Sequence, residues 1–153
     1  MIVLIFLDHD KAKISDIELN FKGITQLPNS IASLLSLDAL GVACNRLSHL
    51  PQSIGNLRFL TYLDVSENEL IDIPNSIGNL KSLCHLLVNN NRLTQLPESI
   101  KKLRNLEYIS VWCNPVTSTK KSRHALERRF ERGDLMVDCT GGGDDDYGDD
   151  TNY

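Results

Sequence analysis

Three groups of side chains in this chain have types and spacings that invite chemistry. Ser110, His85 and Asp64 are the types of a nucleophile, a general base and its orienting carboxylate. Cys113 and His85 are the types of a thiolate and its base. Tyr62, Tyr108 and Trp112, with Leu87 and His85, are the types of a recognition surface, because tyrosine and tryptophan are enriched at the energetic centres of interfaces. Asp64 and Glu67 beside those rings favour a partner that brings Lys or Arg, and Asn89 and Ser110 add polar contacts. Each set lies far apart along the chain, so the elements that carry the residues decide which set can assemble.

Other candidates fall away on residue pattern. Gly141, Gly142 and Gly143 are followed by Asp144, which would repel a phosphate, so no phosphate-cradling loop is present. Asp144, Asp145, Asp146, Asp149 and Asp150 lack the glycine and glutamate placement of a calcium-binding loop. Cys44, Cys84, Cys113 and Cys139 form no close pair, so a zinc ribbon has no support. No metal or other cofactor is expected. The basic residues Lys120, Lys121, Arg123, Arg128, Arg129 and Arg132 read as the solvated face of a helix near the end of the chain.

Composition narrows the class further. The formal net charge of -4 argues against a general nucleic-acid binder. No apolar run approaches the ~20 residues of a membrane-spanning helix. The apolar start, Met1 to Leu7, is short and is followed at once by Asp8, Asp10 and Lys11, so a secretory leader is not expected. A cytoplasmic protein with reduced thiols is the expectation. Aromatic content is only 6%, so the core must be built from Leu and Ile.

The elements follow from a repeat. Leu27-Pro28, Leu50-Pro51, Ile73-Pro74 and Leu96-Pro97 recur every 23 residues. Ser30, Ser53, Ser76 and Ser99 keep that step, as do Ile31, Ile54, Ile77 and Ile100, and Asn45, Asn68, Asn91 and Asn114. Within a unit the apolar residues alternate, as in Leu63-x-Val65, which reads as a short strand with one buried face. One unit cannot bury that face alone, but stacked units share a core and form a parallel sheet. The Asn carries both donor and acceptor groups for backbone where the chain leaves the strand. The Pro opens a return segment, and the Ser-Ile-Gly-Asn-Leu stretch after it predicts a 3-10 or loosely helical turn on the convex side.

These columns resemble the leucine-rich-repeat family, and specifically its 23-residue LPxSIGNLxxLxxLxVxxNxL class. That class includes plant intracellular Ras-group-related proteins and animal Ras-pathway scaffolds. The resemblance covers about residues 14-116 and implies an α/β right-handed solenoid, an arc with a concave parallel sheet and a C-terminal helical cap. It further implies a non-enzymatic module that binds another protein on the concave sheet: a scaffold, adaptor or signalling regulator. The alternatives are a substrate-sensing or regulatory subunit of a larger signalling enzyme, or a pathogen effector using the same face.

The chain then divides into an N-terminal segment or cap (1-13), about five repeats (14-116), a cap helix and strand (117-139) and a disordered acidic tail (140-153). In the cap, Leu126 and Phe130 supply an apolar stripe, and Leu135, Met136 and Val137 a last strand. In the degenerate first unit Lys22 stands where Asn is expected.

With strands assigned, the candidate sets separate. The residues between the buried ones form columns across the sheet. One column reads Asp16, Ala39, Tyr62, His85, Tyr108, and the next Glu18, Gly41, Asp64, Leu87, Ser110. A third reads Asn20, Ala43, Ser66, Asn89, Trp112, and a fourth Phe21, Cys44, Glu67, Asn90, Cys113. Ser110, His85 and Asp64 then lie on a diagonal with ~7 Å steps and no oxyanion hole. Cys113 is roughly 16 Å from His85, too far for a catalytic pair. The aromatic patch remains: Tyr62, Tyr108, Trp112 and Leu87 around His85, with Asp64, Glu67, Asn89 and Ser110. Five strands at ~4.8 Å give a face ~19 Å across, suited to a peptide, a loop or one helix on a monomer.

Overall fold

The computed structural model describes residues 14–118, 124, 128, 130 and 136–139. Six short strands form one parallel sheet in sequential order. They are β1 (Asp16–Glu18), β2 (Ala39–Gly41), β3 (Tyr62–Asp64), β4 (His85–Leu87), β5 (Tyr108–Ser110) and β6 (Met136–Asp138). β1 to β5 are the strands of the five units. Each of the first four units returns through a five-residue 3-10 turn: Asn29–Ser33, Gln52–Asn56, Asn75–Asn79 and Glu98–Lys102. The architecture is the expected repeat solenoid, with the sheet on one side and the 3-10 turns on the other.

The local reasons are visible in each coil. Pro28, Pro51, Pro74 and Pro97 hold φ between -72° and -64° and sit immediately before the four return turns. Their carbonyls accept the N–H groups of Ile31, Ile54, Ile77 and Ile100 at 3.0 to 3.2 Å, which winds the turn. The isoleucines are buried, as are Leu34, Leu57, Leu80 and Leu103. From the strand side Leu40, Leu63, Leu86 and Ile109, followed by Val42, Val65, Val88 and Val111, meet them at full burial. Leucine and isoleucine columns of constant size stack without gaps, so one core runs through the arc.

The asparagines do what their chemistry implies. Asn68 Oδ1 accepts the Leu47 N–H at 2.9 Å, while its Nδ2 donates to the Val42, Val65 and Ser66 carbonyls. Asn91 and Asn114 repeat the arrangement one and two coils on. Asn45 does so toward the first coil, accepting from Lys22 and Ile24. The backbone of Lys22 thus takes its place in the ladder although its side chain does not.

The return turns pack backbone to backbone. A Cβ at Gly78 would lie 2.5 Å from the Ser99 carbonyl oxygen, and one at Gly55 would overlap the Ser76 carbonyl. Glycine thus fits the close approach at these two contacts, while Ala32 holds the same place in the first turn. The next residue in that column is Lys101, and no further turn in this register follows among the described residues.

Of the C-terminal cap, His124 and Arg128 are helical and Phe130 is buried. Leu126 and the rest of the expected cap helix, the N-terminal segment 1-13 and the acidic tail lie outside the described residues. No helix among the described residues is long and apolar enough to cross a membrane.

Two substitutions test this packing. Asn68→Ala leaves the Leu47 N–H without its acceptor, while the Val42, Val65 and Ser66 carbonyls keep Asn45, Asn91 and Cys44 as donors. It should lower stability by about 1–3 kcal/mol. Gly78→Ala forces the last two return turns apart and should cost about 1–3 kcal/mol. Urea unfolding monitored by circular dichroism reads both.

Candidate functional site

The strand register converts sequence columns into rows on the concave face. One row runs Asp16, Ala39, Tyr62, His85, Tyr108 and Met136, residue against residue from β1 to β6. A second runs Glu18, Gly41, Asp64, Leu87, Ser110 and Asp138. The buried Leu40, Leu63, Leu86 and Ile109 lie between them and point the other way, so both rows face out of the core.

The first row contains a run of three rings. His85 lies 6.2 Å from Tyr62 and 6.3 Å from Tyr108, centroid to centroid, with interplanar angles of 39° and 42°. These are favourable tilted contacts. Burial of the Tyr62 hydroxyl raises its pKa, and the carboxylates of Asp64 and Glu18 raise it further. Tyr108 is shifted the same way, again mainly by burial, and its hydroxyl donates to Asp138 Oδ2 at 3.1 Å. Both phenols therefore stay protonated and able to donate. Leu87, two residues on from His85, and Trp112, at the exit of β5, are half-buried, His85 is exposed, and Met136 extends the row with 66% exposure.

The second row is acidic. Asp64 accepts the N–H and hydroxyl of Ser66 at 2.9 and 2.6 Å. Glu18 leans across the next coil: a Cβ at Gly41 would lie 2.6 Å from Glu18 Oε2. Gly41 is thus the floor that lets the Glu18 carboxylate approach β2, with Asp64 one strand further on.

Several expectations change here. Asn89 and Ser110 were expected at the surface, and the structure buries them, to 8% and 2% exposure. Ser110 is covered by β6, where Asp138 accepts its hydroxyl at 3.5 Å. Asn89 belongs to the third column, in which Ala43 and Ser66 are buried as well. The strands end before this column, and the next residue turns over it. Phe21, Cys44, Glu67, Asn90 and Cys113 all have φ between 50° and 57°, a left-handed conformation that non-glycine residues seldom adopt. That turn also removes Glu67 from the aromatic patch. Its carboxylate instead accepts the Cys44 S–H at 3.2 Å.

Among the described residues no hydrogen bond joins Ser110, His85 and Asp64; Ser110 is engaged by Asp138, Asp64 by Ser66, and His85 by two rings. Among the described residues no disulfide joins Cys44, Cys84, Cys113 or Cys139. No cluster of three or more His, Cys, Asp or Glu residues suited to a metal occurs among the described residues. Residues that column reading left out of the site are Glu18, Met136 and Asp138. Glu18 needed the glycine opposite it to be recognised, and the two β6 residues fall outside the 23-residue step.

The Cys44–Glu67 contact gives a measurable consequence. Burial first, and then the Glu67 carboxylate, push the Cys44 thiol up to about 11. At pH 8 iodoacetamide should modify exposed Cys113 well before Cys44. Glu67→Gln lowers the Cys44 pKa and should speed its alkylation several-fold, since each unit is worth roughly tenfold in thiolate. Peptide mass mapping follows both sites, and identical Cys44 rates in the two proteins would refute the cause assigned.

Comparison with known proteins agrees with the geometry. Among solved structures, a leucine-rich-repeat protein of Leptospira interrogans superposes with a TM-score of 0.77 at 29% identity, over 89% of this chain and 34% of its own. The functional domain of InlJ from Listeria monocytogenes, described as including a cysteine ladder, gives 0.61 at 22% identity over 74% and 23%. The plant peptide hormone receptor RGFR1 in complex with RGF2 gives 0.55 at 35% identity over 59% and 15%. The chain thus spans about a third or less of each of these structures. No curated protein matches it. The family model for a leucine-rich repeat region matches residues 16–133, and the chain belongs to the leucine-rich-repeat family.

Proposed function

We propose that the chain is a non-enzymatic interaction module that docks a partner protein on its concave sheet, acting as a scaffold or adaptor in signalling. The observation that carries this is the run of Tyr62, His85 and Tyr108 on the outward face of the sheet, with Leu87 in the adjoining row and Trp112 half-buried at the exit of β5. Rings of this kind bury large amphipathic area on binding and lose little rotational freedom. Ala39 occupies the same row on β2, so the solenoid does not need rings there to form. The receptor–RGF2 complex among the structural neighbours supports a peptide or loop as the docked element. A Lys or Arg of that element would face Asp64.

The proposed role follows the 23-residue scaffold class that the repeat resembles. The chain would act as a monomer of 17.2 kDa in the cytoplasm, where its four cysteines stay reduced.

Capture with the full chain tests the docking face. The double variant Tyr62→Ala and Trp112→Ala should lose a captured partner by at least about tenfold in affinity while its thermal unfolding stays close to that of the parent, because two ring anchors carry a large share of such an interface. Retention of the partner by the double variant would move the site elsewhere. Turnover of a substrate by the isolated chain would overturn the non-enzymatic assignment.

A further inference from the structure

The charges of this chain are sorted by face. The strand segments and their exits, 15-21, 38-44, 61-67, 84-90 and 107-113, contain Asp16, Glu18, Asp38, Asp64, Glu67 and Glu107 and no Lys or Arg. The return segments, 28-37, 51-60, 74-83 and 97-106, contain Arg58, Lys81, Lys101, Lys102 and Arg104 against the single acid Glu98. Away from the sheet, acids are matched: Glu69 pairs with Arg92 at 3.0 Å, Asp72 with His49 at 3.2 Å and Glu98 with Lys101 at 3.1 Å. Among the described residues neither Glu18 nor Asp64 joins an ion pair; Glu18 accepts from Asn20, and Asp64 from Ser66, its backbone N–H and the Tyr62 hydroxyl. A carboxylate holds about four lone-pair sites, so these groups can still accept from a cation.

Glu18, Asp64 and Asp138 lie in one row, which Leu87 interrupts, and the rings of Tyr62, His85 and Tyr108 lie in the other, with Asp16 at its first end. The rows are two residues apart along each strand, about 7 Å, and run at right angles to the strands for ~24 Å across six of them. Resting on the docking face proposed above, we infer that its occupant is an extended protein segment that alternates cationic and apolar side chains and lies along the sheet axis. Successive side chains of an extended segment point to opposite sides. Its cations meet Glu18 and Asp64, and its apolar side chains cover Tyr62, His85, Tyr108 and Met136. Asp138 closes the acidic row three strands beyond Asp64, so Glu18 and Asp64, only two strands apart, carry the recognition. Gly41 between them lets the Glu18 carboxylate lie over β2, one strand from Asp64.

The test uses synthetic peptides of about eight residues, enough to cross the face. One alternates Lys and Leu, one Gln and Leu, and one Glu and Leu. The readout is the fluorescence of Trp112, the single tryptophan, half-buried at the exit of β5. The Lys peptide should bind about tenfold more tightly than the Gln peptide, with an affinity that falls as salt rises, and the Glu peptide should bind least. The double variant Glu18→Gln and Asp64→Asn, which keeps an acceptor for Ser66, should weaken the Lys peptide about five- to tenfold and leave the Gln peptide unchanged.

Equal binding of the Lys and Gln peptides, both lost on Tyr62→Ala, would overturn the charge assignment and leave the docking face standing. Binding of the Lys peptide that neither the acid variant nor Tyr62→Ala affects would place the contact elsewhere and sink both. No binding of the Lys peptide would also overturn the inference. Thermal unfolding of each variant guards against a loss caused by misfolding.

Discussion

A backbone that leaves a three-residue strand inside a protein takes amide and carbonyl groups away from water, and each of them must find a partner. In this chain the asparagine at each strand exit meets that need. Its carboxamide spans two coils, accepting an N–H from the preceding one and donating to carbonyls of both, as Asn68 does between Leu47, Val42 and Val65. Because these bonds cross from coil to coil, they set the pitch as well as the turn. Once the pitch is set, the strands fall into register, and outward side chains from coils 23 residues apart line up in rows. The rings of Tyr62, His85 and Tyr108 touch only because of that alignment. A single coil offers the asparagine oxygen no N–H to accept and the leucines no cover, so the ladder and the core depend on stacking together.

This division of labour explains what the sequence disclosed. The Leu, Ile, Pro and Asn columns must be nearly the same in every coil, because each contacts its own counterpart next door. Their constancy made the fold and the strand positions legible without coordinates. The rows on the sheet face were legible in membership for the same reason, which is why Tyr62, His85 and Tyr108 were read as neighbours. Exposure was less legible. Alternation describes a strand only while it lasts, and here it stops after Asp64, Leu87 and Ser110. The following residues enter a left-handed turn built from Cys44, Glu67, Asn90 and Cys113. Only Asn90 among them is a residue type that signals such a backbone. Hence Asn89 was assigned to the surface but is covered, and Glu67 was set beside the rings but turns toward Cys44.

The two ends of the arc show why period alone is insufficient. β6 pairs with β5 in the same parallel sense, yet Asp138 sits against Ser110 from 28 residues along the chain. An extra stretch of chain intervenes, so extrapolation of the repeat misses that Met136 and Asp138 extend both rows and that Ser110 is covered. On the convex side the signal is steric. Gly55 and Gly78 accept the backbone of the following coil, and Lys101 takes the same place in the last return turn. A lysine Cβ there would meet the overlap that glycine avoids, if another turn were to stack in that register.

The steric demands of the two sides also separate residues that build the solenoid from residues available for recognition. On the return side, glycine against backbone leaves little freedom, and inside, the leucines leave none. The sheet face carries no such requirement: its first row tolerates Asp16, Ala39, Tyr62, His85, Tyr108 and Met136, residues that share neither size nor charge. Tilted ring contacts contribute roughly 0.5–1.5 kcal/mol per pair beyond area burial, a modest gain beside the leucine core. Meanwhile, among the described residues, Glu18 and Asp64 are left without cations on a chain that pairs Glu69, Asp72 and Glu98 elsewhere. Unpaired like charges on one face oppose folding. A face that accepts this repulsion and displays half-covered rings is arranged for a partner whose chemistry completes it.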